Sequence, residues 1–247
     1  MIKLLFIISF LSFNCYACSD EIKILIQNEF GNDVKFLTCK NNPQLTNQTI
    51  IVFVSNTKDD DSGISVNDAH TVLVENNKII KSLIEKGMIK NDTIHLDDIE
   101  IDTGLYNITQ TLRAIGVRYH FVGSSRVNPY SENVLNLYIN EKNTLRNVLY
   151  SLSMHEQSGE WDGNCNGYFD EITRYISIAK SSSYGFYDLF LTGKSAHSIA
   201  QAKKEDCSES TKTAKINKVK ITFDGKKYKI PRDFNSDLLS PQNTTNF

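Results

Sequence analysis

The stretch GEWDGNCNGYFDEI, Gly159 to Ile172, gathers acids and amides at a spacing that could hold a metal. Asp162, Asn164, Asn166 and Gly167 stand at positions 1, 3, 5 and 6 of a calcium-loop pattern. Asp170 and the Tyr168 carbonyl could add further oxygens. A calcium ion takes six to eight, and the loop pattern closes its shell with a bidentate Glu at position 12. That position is Thr173, Glu171 comes two places early, and the next residues read as a strand instead of an exit helix. Cys165 inside the loop can pin it by a disulfide. The expectation is therefore no cofactor. Asp162, Asn164, Asn166 and Asp170 form a polar turn bonded to its own backbone. A calcium-stabilised β protein is the alternative.

The five histidines are His70, His95, His120, His155 and His197. His155-Glu156 begins like a zinc-protease helix, but Gly159 stands where the second His is needed. No pair has metal-ligand spacing. Gly123-Ser124-Ser125 lacks the frame of a nucleophile elbow, and no Gly-rich phosphate loop follows a strand. A Ser/His/Asp triad meets only in space, so a hydrolase with a His-dependent site is the competing reading. The better candidate is a binding loop, VGSSRVNPYSEN, Val122 to Asn133. It is polar and long, and it carries Arg126 and Tyr130, residue types that anchor interfaces. Arg118 and His120 lie on the polar face of the strand before it. These four are the expected binding residues. Trp161, the single tryptophan, is expected to pack inward beside Cys165.

The elements that position these residues are mostly strands. Glu21 to Phe30 places Ile22, Leu25, Ile26 and Phe30 on one helical face, and Gly31-Asn32-Asp33 ends it. Thr49 to Asn56 is a compact β-branched run. Thr71 to Glu85 reads as two strands around Asn76-Asn77, a hairpin signal. Leu112 to Gly123 alternates, with Ile115, Val117, Tyr119 and Phe121 on one face and Arg118 and His120 on the other. Leu135 to Ser153 holds two runs around Asn140 to Asn143. Glu171 to Ala179 and Phe186 to Gly193 add further strands. Lys218 to Pro231 reads as a hairpin turning at Asp224-Gly225. The fold class is mainly β: antiparallel hairpins forming a sandwich or a partial propeller-like stack, with one N-terminal helix. Ser208 to Lys215 reads as a linker. Residues 18–235 read as a single β-rich domain and 236–247 as a flexible tail.

Met1-Ile2-Lys3, the apolar run Leu4 to Phe13 and the small Ala17 read as a secretory signal peptide over residues 1–17. Cleavage there leaves Cys18, Cys39, Cys165 and Cys207, an even count that implies two disulfides in an oxidising compartment. Three pairings are open. Proximity favours Cys18–Cys39 and Cys165–Cys207. Cys18 at the new terminus also suggests a lipid anchor, although Cys15 stands where such signals carry Leu. The two ideas compete for one thiol. With 27 Lys and Arg against 29 Asp and Glu, charge is balanced and interspersed, giving no nucleic-acid footprint. The run Asp59-Asp60-Asp61 reads as a solvated loop tip. No later apolar stretch is long enough to span a membrane.

IDTGLYNITQTLRAIGVRYHFVGSSRVNPYSENVLNLYI, GEWDGNC, GFYDLFL and FDGKKYKIP together resemble a family of exported bacterial proteins of uncharacterised function. The resemblance covers about Cys39 to Pro231. GFYDLFL is also similar to the strands of FG-GAP-type propeller repeats. The resemblance implies a β protein of the bacterial envelope, periplasmic or secreted, with no assigned ligand. Together these features predict a non-catalytic exported binding protein, one that inhibits or neutralises an envelope or secreted protein partner.

Overall fold

The computed structural model describes residues 18–59, 64–142, 144–203, 206–240 and 244–246. The expected leader, 1–17, and the Asp60-Asp61 part of the acidic run lie outside these residues. The helix α1 (Asp20–Phe30) comes first. Ser19 caps it by accepting the Ile22 amide, and Asp20 and Glu21 suit the positive end of its dipole. Strands follow: β1 (Val34–Asn41), β2 (Gln48–Asp59), β3 (Ser65–Glu75), β4 (Lys78–Asn91), β5 (Ile94–Asp102) and β6 (Ile115–Gly123). Then come β7 (Tyr130–Glu141), β8 (Thr144–Trp161), β9 (Gly167–Ser183), β10 (Phe186–Lys203), β11 (Asp206–Ile221) and β12 (Thr244–Asn246). All named pairings are antiparallel.

Two sheets result, with strand orders β1-β2-β3-β4-β12 and β11-β10-β9-β8-β7-β6-β5. Neither closes into a barrel, so of the two arrangements expected the sandwich forms. The compact run in β2 is buried on both faces, which explains its lack of alternation. Ile50, Val52 and Val54 enter the core between the sheets, while Ile51 and Phe53 meet α1 through Ile26. In β6 the expected alternation holds: Val117, Tyr119 and Phe121 fill the inter-sheet core, and Arg118 and His120 point away from it. Asn76 and Asn77 both take positive φ, 50° and 57°, as the tight hairpin turn between β3 and β4 requires.

The larger sheet parts along one line. β8 bonds to β9 only from His155 to Trp161, opposite Thr173 to Gly167. A second core draws from both sides of the parting: Leu135, Leu137, Leu149 and Leu152 on one, Leu189, Leu191 and Ile221 on the other. Tyr106, Ile108, Phe223 and Tyr228 join it from connecting segments. Beyond the parting, the far halves of β9, β10 and β11 run on with few buried residues. At 17, 18 and 16 residues these strands are about three times the usual length.

Three expectations are corrected. Ser208 to Lys215 is no linker; it is part of β11 and pairs with β10 throughout. Its polar side chains suit a strand exposed on both faces. The hairpin at Asp224-Gly225 turns as expected, with Gly225 at φ 95°, but its arms meet in a single bridge, Phe223 to Tyr228. Val219 to Ile221 pairs instead with β10. The segment after Asn235 is also not a loose tail where it is described. Ser236 and Leu239 are buried, Leu239 bridges Ile89, and β12 pairs with β4. Leu239 with the partly buried Leu238 packs into the inter-sheet core, and backbone bonds from Ser236 to Ser151 and from Ser240 to Met88 hold the segment there.

Candidate binding face

Strand register sets polar residues from all seven strands of the larger sheet in one row. Asp98 opposes His120, which opposes Asn133, which opposes His155. His155 opposes Thr173, Thr173 opposes Lys194, and Lys194 opposes Lys215. Directly opposed residues share a sheet face. His120 and His155 therefore stand two strands apart, at about 10 Å by strand spacing. The row is open: the His120 and His155 side chains are 36% and 38% exposed. It is also ordered. The Asn133 amide lies 3.2 Å from His120 ring nitrogens, and His155 Nδ1 lies 3.4 Å from Thr173 Oγ1. Glu100 and Glu171 flank the two rings at 4.0 and 3.9 Å.

Arg118 extends the row toward β5. Its Nε donates to Asp102 Oδ2 at 2.7 Å, and its Nη1 donates to Asn133 Oδ1 at 3.3 Å. Tyr106 donates to the same Asp102 oxygen at 2.7 Å. Burial opposes ionisation of Asp102, but bonds from Tyr106, the Gly104 amide and Arg118 outweigh it and hold the carboxyl below its ordinary value. Arg118 is thus a fixed cation within the face.

Arg126 and Tyr130, the other two expected binding residues, lie apart from this row. Arg126 is exposed on the loop joining β6 to β7. The loop is pinned by Ser124 N to Thr93 O at 2.9 Å, Asn128 N to Ser125 Oγ at 3.0 Å and Trp161 N to Val127 O at 2.8 Å. A cleft of about 510 Å³ opens beside it, bordered by Tyr130 and by Ser158 and Gly159 of β8. The Tyr130 hydroxyl donates to Glu132 Oε2 at 2.9 Å, and Ser236 donates to the same oxygen at 2.9 Å.

The four residues proposed for calcium are divided between two tasks. Asp162 Oδ1 accepts the Asn164 and Asn166 amides at 2.8 and 3.0 Å, and its Oδ2 accepts from Asn166 Nδ2 at 2.7 Å. These bonds, Asn166 first, hold its carboxyl below the ordinary value. Asn166 Oδ1 in turn accepts the Ala202 amide at 3.1 Å. Asp170 lies in β9 and pairs with His197 of β10 at 2.7 Å. The carboxylates of the stretch are thus engaged by the turn and the neighbouring strand. Among the described residues no group of three or more His, Cys, Asp or Glu side chains could hold a metal ion.

The disulfides are Cys18–Cys39 and Cys165–Cys207, the pairing that proximity favoured. The first uses the thiol that a lipid at Cys18 would need. The second joins the β8–β9 turn to the start of β11. Both together suggest an oxidising, extracytoplasmic environment. No helix among the described residues is long and apolar enough to cross a membrane. Trp161 is not a core residue. It sits half-buried at the end of β8, its ring tilted against Phe169 with centroids 5.9 Å apart.

Among the buried polar residues that escaped the sequence reading, His70 and Glu85 depend on partners from other strands. His70, 4% exposed, has Nε2 2.8 Å from Ser55 Oγ and stacks on Phe53, while its Nδ1 has no partner. Burial holds its pKa down at about 4. Glu85, 3% exposed, projects from β4 into the core between the sheets. It accepts from Tyr138 at 2.5 Å and Asn147 at 3.1 Å. Burial pushes its pKa up to about 7 against those two bonds.

This is a mainly β protein of sandwich type, with one open polar sheet face and a separate cleft. Compared with protein-family models, with curated proteins and with solved structures, the chain matches none.

Proposed function

We propose that this chain is an exported, non-catalytic binding protein that docks a protein partner of the bacterial envelope, in the manner of an inhibitor or neutralising protein. The observation that carries the reading is the open row from His120 to Lys194. An antiparallel sheet commonly leaves one face to solvent, so the order of this face, not its exposure, sets it apart. Here a run of hydrogen-bonding groups is held in fixed register and left half-exposed, the arrangement of a preorganised recognition surface. The row offers acids at one end, Asp98 and Glu100, and cations at the other, Lys194 and Lys215. A partner with the reverse polarity would be favoured and oriented. The two disulfides, the signal-like leader and the resemblance to exported bacterial proteins support the compartment.

The test is capture from envelope extract by the mature chain and by a Lys194→Glu, Lys215→Glu variant. The expected result is a protein retained by wild type and lost from the variant, with weaker retention at higher salt. Retention of nothing, or equal retention by both, sinks the reading.

One observation favours the hydrolase alternative: the Ser55–His70 bond at 2.8 Å. A nucleophilic serine needs such a base, but the base in turn is oriented by a third group. His70 Nδ1 faces no acceptor, and a base with pKa near 4 takes up a proton poorly at neutral pH. Esterase activity lost in Ser55→Ala would favour this alternative.

A further inference from the structure

The cleft beside the β6–β7 loop calls for a ligand of different chemistry from the open face. None of the residues lining it is charged. Thr93, Ser124, Asn128 and Ser158, which carry hydroxyl and amide side chains, line it together with Tyr130. Arg126 is exposed on the same loop and does not line the cleft, and Glu132 is engaged by Tyr130 and Ser236. At about 510 Å³ the space falls within the usual range for small-molecule sites.

The walls are set before any ligand arrives. Backbone bonds from Ser124 to Thr93 and from Trp161 to Val127 fix the loop. The Tyr130 ring is held at its hydroxyl by Glu132, and Glu132 by the buried Ser236. Gly123 keeps the floor low, since a Cβ there would come within 3.1 Å of Tyr130 Cβ. A cleft ordered in this way costs a ligand little in loop or rotamer entropy.

The lining discriminates by charge and by polarity. An anion or cation entering it would lose water and find no opposite charge among the lining residues, since the carboxylates that act on Tyr130, Glu132 and Glu156, stand outside the lining. Most of the exposed lining is apolar, so a ligand must bring an apolar face, and it gains further where it also offers partners to the lining hydroxyls and the Asn128 amide. A ligand that satisfies both limits is neutral, has an apolar face for the tyrosine ring and carries several hydroxyls. We infer that this cleft is a binding site for a neutral saccharide, with Tyr130 as the stacking platform and Ser124, Asn128 and Ser158 as hydroxyl partners. The inference goes beyond the protein-docking reading and stands or falls separately, because it uses other residues.

Titration followed by amide NMR tests it, using cellobiose, maltose and N,N′-diacetylchitobiose as neutral probes. A uronic-acid disaccharide and a neutral tetrapeptide serve as the other arms. The expected result is saturable shifts at Gly123, Ser124, Ser158 and Gly159 with at least one neutral disaccharide. Tyr130→Ala should weaken that binding tenfold or more. Ser158→Asp, which leaves the tyrosine in place, should weaken it as well. Absence of shifts with every neutral sugar overturns the inference. So do stronger shifts with the uronic acid or the peptide, or unchanged affinity in both variants. Partner capture through Lys194 and Lys215 is read in a different assay, so either conclusion can fail alone.

Discussion

His70 and Glu85 should impose opposite pH dependences that nearly cancel in the intact protein. His70 goes from an ordinary value of 6.5 to about 4 on folding, through burial. Between those values the unfolded chain holds a proton that the native state does not. Its contribution is complete above pH 6.5 and is lost as pH falls through 4. Glu85 goes the other way, from 4.5 to about 7. Its contribution is complete below pH 4.5 and is lost as pH rises through 7. Each pH unit is worth about 1.4 kcal/mol, so each group accounts for roughly 3 kcal/mol across its window. Both residues are almost wholly buried, 4% and 3% exposed, so solvent screens neither effect strongly. From about pH 4.5 to 6.5 the two slopes oppose each other. Urea unfolding of wild type, His70→Phe and Glu85→Gln at half-unit steps would separate them. Relative to wild type, the His70→Phe curve should fall by about 1.4 kcal/mol per unit as pH rises through that window. The Glu85→Gln curve should rise by the same amount. Any packing loss from substitution shifts a curve without tilting it, and exposed carboxylates contribute equally to all three. Three parallel curves would refute the reasoning.

Three further outcomes are expected. Removing the Cys165–Cys207 link, which spans 42 residues, should cost about 4 kcal/mol in the chain-entropy relation. A Cys165→Ala, Cys207→Ala variant should melt lower and exchange its β9–β11 tip amides faster, and no change in either would count against a structural role. Gly167→Val places a Cβ 2.3 Å from the Glu160 carbonyl oxygen and 2.8 Å from the Trp161 ring. It should destabilise the β8–β9 pairing by about 1–3 kcal/mol, seen as a lower urea midpoint; a stable variant would show that the strand ends yield freely. Because Asp162 is already bonded to the amides of its own turn, melting should be the same in calcium and in chelator, whereas a calcium-dependent rise of several degrees would restore the metal reading.

Local signals carried much of the architecture. The 3.6-residue pattern of Ile22, Leu25, Ile26 and Phe30 sufficed for the one helix, and Asn76-Asn77 for its hairpin. In β6 the alternation of Val117, Tyr119 and Phe121 with Arg118 and His120 announced a half-buried strand. Each of these features is settled within a few residues, where side-chain periodicity and turn sterics act. Ser208 to Lys215 failed for a related reason. A strand with no buried face has no alternation to read, and pairing with β10 alone reveals it.

The candidate site divides along the same line. Polarity on the outer face of β6 was visible, and so was the β6–β7 loop, since both are contiguous. The row joining His120 to His155 was not, because only the pairing of β6, β7 and β8 brings its members together. Glu85 and His70 were hidden for a stronger reason. In sequence a glutamate between Ile84 and Lys86 looks solvated, and a lone histidine looks incidental. Sheet packing strips water from both and sets their protons. By itself the sequence determined most of the strands and turns and which side of β6 is polar, and it favoured, among three open pairings, the cysteine pairing that forms. Tertiary structure alone decided which polar residues became neighbours and which lost their water, since register and desolvation are properties of strands already assembled.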